Sequence, residues 1–408
     1  MEFTFSKRAR TISMLLMAIG VVLAGIGVVG DHTEHHQESW AALFINGFFF
    51  FGIALGTLFF FALQYATETA WTVMVKRVYE GILAYLPYGA AVIVICLLAG
   101  SFGLHHVWHW MDHRVTDPAD VDHYDALIAY KKPFLNMPFF WIRVIAFLGT
   151  FIFAARWFRK QSLEMDHLTG DALVVRHKMV YRRSALFLVF FAVFSSVLAW
   201  DWIMSIDAHW FSTLFGWYVF AGMWVGGMVT AVVLVLYLKG KGYLPQVNSS
   251  HIHDMGKWVF AISFLWTYLY FSQFMLYWYA DIPEEVIYFK VRIDHHPWLM
   301  WGMFFINFAV PMVLLMSRDA KRNPRFLIGV GAVDLHRPLA GPVPAGAAGR
   351  AGRAFRVHRP GGDRDVRGLP GPVHPRGAHR AHESTAHRGP SPLPGGERPP
   401  SDLRTRTR

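Results

Sequence analysis

Residues 43–65 read LFINGFFFFGIALGTLFFFALQY, twenty-three positions without a charged side chain. A bilayer core takes roughly 20 apolar helical residues to cross, so this stretch is a membrane span. Comparable apolar segments recur near 13–30, 82–104, 138–156, 185–204, 213–238, 258–279 and 298–317. Together they predict eight crossings and an all-α integral membrane protein.

The composition agrees with that reading. The 408 residues are 54% hydrophobic and 16% charged, and the apolar residues fall in long blocks instead of the short alternations of a soluble fold. Trp108, Trp110, Trp200, Trp202, Trp210, Trp278 and Trp298 gather near segment ends, as aromatic belts require. The one cysteine, Cys96, lies inside the third segment. The chain therefore makes neither a disulfide nor an iron–sulfur cluster by itself, and it lacks a CxxCH haem attachment site. The expectation is that this chain binds no cofactor and that redox centres belong to partners. The net charge of +11 lacks the aromatic-interleaved basic domain of a nucleic-acid binder, so no nucleic acid is expected.

Lysine and arginine instead alternate with the topology. Seventeen fall at the N-terminus and in the loops near 66–80, 157–184, 239–256 and 318–325, against five on the opposite side. The positive-inside rule then places the N-terminus in the cytoplasm and faces the His-rich and acidic loops outward. Lys7, Arg8 and Arg10 precede an apolar run longer than a usual signal h-region, so it is read as the first helix. The outward loops, 31–38, 105–137, DWIMSIDAHW (Asp201 to Trp210) and 280–297, offer a docking surface. Each is too short for a separate domain, and 1–330 reads as one polytopic helical domain.

From 331 onward Pro, Gly, Arg, Ala and His dominate without periodicity. One reading is a disordered basic tail. The other is a frameshifted translation of one or two last helices over 331–408, because HRPLAGPVP (His336 to Pro344), read one base later, permits TGHWLDLYL, a string of transmembrane character.

Four constellations could carry chemistry. His105, His109 and His113 would share one helix face with His106 nearby if the third helix continued outward, and imidazoles so placed can bind metal or haem. Interfacial packing and hydrogen bonding is the favoured alternative. In DWIMSIDAHW, Asp201, Asp207 and His209 either relay protons or cap helix ends. HIHDMGKW brings His251, His253, Asp254 and Lys257 to the start of the seventh span, followed by Thr267, Tyr268, Tyr270, Ser272, Gln273 and Tyr277. Such a ladder can hold a water chain as a proton half-channel, and polar glue between helices is the competing reading. Gln64 and Glu68, with Lys76 and Arg77 beyond, form a weaker counterpart in the first half. Glu284 and Glu285 follow Pro283 as the start of a short outer helix. No P-loop, dinucleotide-binding glycine fingerprint, HExxH pair or GxSxG elbow appears at a usable position, which argues against independent catalysis.

Several long strings carry a resemblance: HHVWHWMD (His105 to Asp112), KKPFLNMPFFWIR (Lys131 to Arg143), AWDWIMSIDAHWFSTLFGWYVF (Ala199 to Phe220) and HDMGKWVFAISFLWTYLYFSQFMLYWYADIPEE (His253 to Glu285). Over about residues 10–333 the chain resembles the F subunit of bacterial alternative complex III, among the polysulfide-reductase-type, NrfD-like membrane subunits. The resemblance implies ten helices, eight of them in two four-helix bundles, in the bacterial inner membrane. It implies a quinol:cytochrome c (or HiPIP) oxidoreductase whose haem c, iron–sulfur clusters and quinol sit on partner subunits. Those partners would be a multihaem cytochrome, an iron–sulfur protein, the homologous quinol-binding membrane subunit, a terminal oxidase and lipids. In the family the ninth helix holds a string similar to GHWLDLYL, the one the shifted frame yields. This chain is then expected to be a scaffold with a proton-conducting half-channel. Its candidate residues are Glu68, Asp201, Asp207, His209, His251, His253, Asp254, Lys257, Tyr268, Gln273 and Tyr277. One rival is a quinol-binding subunit using His105, His209 or Asp207; the other is a secondary transporter.

Overall fold

The computed structural model describes residues 6–335, apart from 296. The expected tail beyond Leu335, with the shifted reading of 336–344, lies outside the described residues. Residues 331–335 continue a helix begun at Pro324.

The described residues form helices joined by loops and turns and contain no strand. In chain order the helices are α1 (Lys7–Gly30), α2 (Gln37–Ala66), α3 (Lys76–Leu83), α4 (Leu86–Ser101), α5 (Ala126–Tyr130), α6 (Met137–Met165) and α7 (Gly170–Trp202). They continue as α8 (Leu214–Gly240), α9 (Ser249–Ala280), α10 (Pro283–His295), α11 (Pro297–Leu315), α12 (Arg318–Arg322) and α13 (Pro324–Leu335). Seven spans are long and apolar enough to cross a membrane: α1, α2, α3 with α4, α6, α7 with the turn to Asp207, α8 and α9. The eighth expected segment, 298–317, is the 19-residue helix α11. The chain is thus a multi-pass membrane protein.

Helix ends follow local chemistry. The third span is broken between α3 and α4, where Pro87 occupies the first turn of α4 and supplies no backbone donor. Asn136 caps α6 by accepting from the Phe139 N–H at 3.0 Å. Asn248 and His251 close a reciprocal capping box at the start of α9. Gly103, at φ 72°, ends α4: its N–H and that of Leu104 turn back onto the carbonyls of Gly100 and Ala99.

Two groups of four helices result. In the first, α2 packs against α4, α6 and α7; in the second, α8, α9, α11 and α13 pack together. The groups meet where α2 lies against α8, and glycines set that distance. Gly52 faces Met223, Gly226 faces Ile53, and a Cβ at Gly56 would collide with the backbone of Met223 and Trp224. In lipid there is no hydrophobic drive between helices, so close backbone approach of this kind supplies the packing energy. Around the crossing sits an aromatic slab of Phe51, Phe60, Phe61, Phe151, Phe158 and Phe191, each almost fully buried. Helix α1 stands apart, touching α2 lightly and burying no residue.

Candidate functional site

Polar side chains collect at both ends of this apolar slab. One end carries the loops 102–136 and 203–213; the other carries the basic turns near 67–75, 166–169 and 241–248.

At the loop-rich end the centre is Arg143, one turn and a half into α6. Its Nε and Nη2 donate to both carboxylate oxygens of Asp201 on α7, at 2.5 and 3.0 Å. Nη1 donates to the Phe134 carbonyl at 3.2 Å, and the guanidinium lies 4.0 and 4.3 Å from the Phe134 and Phe139 ring centroids. Asp201 is 0% exposed, so its charge depends on this two-pronged partner. Outside this pair, two further contacts tie the 105–136 loop to the turn after α7. Lys131 Nζ donates to the Ala208 carbonyl at 2.5 Å, and His209 Nε2 lies 2.7 Å from Asp125 Oδ2. The other oxygen of Asp125 caps α5, taking the N–H groups of Leu127 and Ile128 at 2.9 and 3.2 Å. Burial pushes the Asp125 carboxyl up, yet the His209 ring and these two donors outweigh it and hold it below the usual carboxylate range. Burial lowers the Lys131 ammonium against the pull of Asp207 and Asp125. Trp108 Nε1 donates to the Trp202 carbonyl at 3.0 Å, locking the same two segments more deeply.

The histidine run is rearranged from what the sequence suggests. Because α4 stops at Ser101, His105, His109 and His113 do not share a helix face. Only His105 is buried. Its Nδ1 accepts from the Val107 N–H at 3.3 Å, which leaves the proton on Nε2 to be donated to the Cys96 carbonyl at 3.0 Å. Burial, more than the neighbouring His106, lowers its pKa. His113 is almost fully solvent-facing. This favours the packing reading over a shared ligand set.

Along α9 the structure separates the proton-path candidates into three groups. Ser263, Thr267, Tyr270, Gln273 and Tyr277 form one buried stripe, in which Gln273 Nε2 donates to Ser212 Oγ at 3.3 Å and Thr267 to the Ser263 carbonyl at 2.9 Å. The Ser263 hydroxyl is buried with no hydrogen-bond partner. Tyr268 points away from this stripe and is exposed, as its helical phase dictates. The charged group at the start of α9 is also apart: Lys257 pairs with Asp254 at 2.7 Å beside His253, while His251 serves the helix cap. Between that group and Ser263 the buried face of α9 carries Met255, Val259 and Ile262. The ladder expected from the sequence is therefore interrupted by about two turns of apolar side chains.

At the basic end Glu68, at φ 50°, lies 3.4 Å from His177 Nε2. Lys76 and Arg77 both pair with Asp166, and Arg77 also with Glu80. Burial pushes the Asp166 carboxyl up, but those two cations hold it down. Glu80 itself is 3% exposed with one carboxylate oxygen unpartnered, and the Tyr79 hydroxyl and Gln64 Nε2 are likewise buried without a hydrogen-bond partner among the described residues. Glu80 and Arg143 are the residues that the sequence reading passed over. Arg143 is an ionisable side chain within an apolar span, which in a membrane protein is itself the signal, whereas Glu80 sits in the charged stretch just before one.

The arrangement can hold protons at either end, on Asp–His and Ser–Gln–Tyr groups at one and on Glu80, beside Arg77, at the other. The phenylalanine slab between them offers no polar relay. No family model matches this chain, and no curated protein matches it.

Proposed function

We propose that this chain is a non-catalytic membrane subunit of a respiratory quinol:cytochrome c (or HiPIP) oxidoreductase. It would act as a docking scaffold and supply a proton half-path at one face, in the bacterial inner membrane with its N-terminus cytoplasmic. The observation that carries the reading is the interlocked outer surface. Three of the four strings that resemble alternative complex III meet there, through Arg143 with Asp201, Lys131 with the Ala208 carbonyl, and Trp108 with the Trp202 carbonyl. A rigid outer face is what a subunit needs to seat extrinsic haem and iron–sulfur partners, since preorganised surfaces lose less entropy on binding. The half-path would run through Ser212, Gln273 and Tyr277, which form a buried polar stripe below that face. Haem c, the iron–sulfur clusters and the quinol site are assigned to those partners.

The test is purification of the chain from its native membrane in mild detergent, with mass spectrometry of co-purifying subunits and a haem spectrum. Co-purification with multihaem and iron–sulfur subunits is expected. A lone, haem-free chain would overturn the proposal. Gln273→Leu should leave the assembly intact and lower turnover-linked proton movement; unchanged proton stoichiometry would remove the half-path.

A further inference from the structure

The basic end carries cations of two kinds. Lys76, Arg77 and Arg176 face protein carboxylates, on Asp166, Glu80 and Glu164. Arg156, Arg182 and Arg183 make no ion pair among the described residues, although all three are exposed. They are clustered where the lipid-facing walls of α6 and α7 end.

Helical phase places them around one groove. On α6, Phe153, Trp157 and Lys160 lie one turn apart on one side; on α7, Arg183, Leu186 and Phe190 do the same. The two lines meet across the helices, where the Arg183 guanidinium sits 5.1 Å from the Trp157 ring centroid. Phe153, Leu186 and Phe190 are 69%, 58% and 47% exposed, an apolar trough leading away from the cations. Arg156 and Arg182 flank it one position back on each helix, and Lys160 at its rim makes a long 3.9 Å contact to Glu164.

We infer that this α6/α7 groove is a binding site for an anionic phospholipid, with the phosphate on Arg183, Lys160 and the flanking Arg156 and Arg182, and an acyl chain along Phe153, Leu186 and Phe190. Amphiphile geometry selects a lipid over free phosphate, because the cations end an apolar trough of the kind only an acyl chain fills. Basic pockets between transmembrane helices bind lipid head groups in this way. A guanidinium held on an indole face keeps its outer N–H groups for the phosphate oxygens. The site rests on the chain's membrane character and not on the proposed respiratory role.

The experiment is native mass spectrometry and lipid extraction of the detergent-purified full chain, wild type against Arg182→Gln/Arg183→Gln. Wild type should retain anionic phospholipid above its share in the source membrane, and retention should fall about fivefold for each charge removed. Equal retention in the variant, or wild-type lipid in membrane proportions, would overturn the site. Should the variant fail to accumulate, thermal unfolding of wild type decides. Added phosphatidylglycerol should raise Tm while phosphatidylcholine and inorganic phosphate leave it unchanged. An equal rise with inorganic phosphate would overturn the lipid assignment. None of these readouts depends on redox partners, so failure here and failure of the assembly proposal are distinguishable.

Discussion

Consider replacing either member of the Arg143–Asp201 pair. Arg143→Leu leaves a fully buried carboxylate whose two oxygens have lost their only side-chain partner among the described residues. Stranding a buried charge in this way typically costs about 3–5 kcal/mol. Asp201→Asn is milder. The guanidinium keeps the Phe134 carbonyl and its two flanking rings, and the amide oxygen can still accept one bond. Exchanging the two-pronged ion pair for a single bond from the guanidinium to a neutral amide should cost about 1–2 kcal/mol. The gap of roughly 2 kcal/mol is more than tenfold in the unfolding constant. The double variant Arg143→Leu/Asp201→Leu removes both charges, and its loss should fall well short of the sum of the single losses. Reversible unfolding in mixed micelles, followed by tryptophan fluorescence, reads all three. Equal losses in the two single variants, or strict additivity in the double, would refute the argument that Asp201 is the dependent partner.

Three other outcomes follow from the described contacts. Gly56→Ala should lose at least about 3 kcal/mol, at the upper end of overpacking costs, because backbone of α8 stands where its Cβ would go; Gly81→Ala, which meets open space, is the neutral control in the same expression and thermal assays. His105 has a lowered folded pKa, so its contribution is complete above the unfolded imidazole value of about 6.5 and is lost as pH falls from there through the folded value. Protonation would put a hydrogen on Nδ1, against the Val107 N–H. Protection from hydrogen exchange over 105–116, taken relative to the intrinsic amide rate at each pH, should therefore fall between pH 7.5 and 5.5 in wild type and lose that dependence in His105→Gln. Asp166→Asn removes a partner of Lys76 and Arg77 at a site 44% exposed. Its cost should stay below about 1 kcal/mol and shrink with added salt in the unfolding assay.

The spans were legible because an uninterrupted charge-free run has one physical outcome in lipid. Segments such as 43–65 and 213–238 became α2, which begins six residues earlier, and α8, which ends two residues later. Which helices touch was not legible. The α2–α8 crossing depends on Gly52, Gly56, Gly226 and Gly227 meeting across a long sequence separation, and nothing local to either segment records the partner. The histidine run misled for a local reason: Gly103 was an available stop signal, and past it the i, i+4 spacing has no helix to act on. Tyr268 also carried its own correction, because it lies off the 263, 267, 270, 277 phase that keeps the other polar residues together. Asp125 and Lys131 gained their roles only when the 105–136 loop folded back onto the turn after α7, a pairing set by tertiary structure.

The glycine seam between α2 and α8 also sets a schedule for biogenesis. Helix α2 leaves the ribosome well before α8, with α3, α4, α6 and α7 made in between. At ordinary synthesis rates the delay is on the order of ten seconds. During that interval the notch formed by Gly52 and Gly56 faces lipid or whichever helix the insertion machinery supplies. The first four-helix group can therefore assemble early but stays open along one edge until α8 arrives. Substitutions in the seam should surface first as loss during insertion, with the thermal defect read on the fraction that matures.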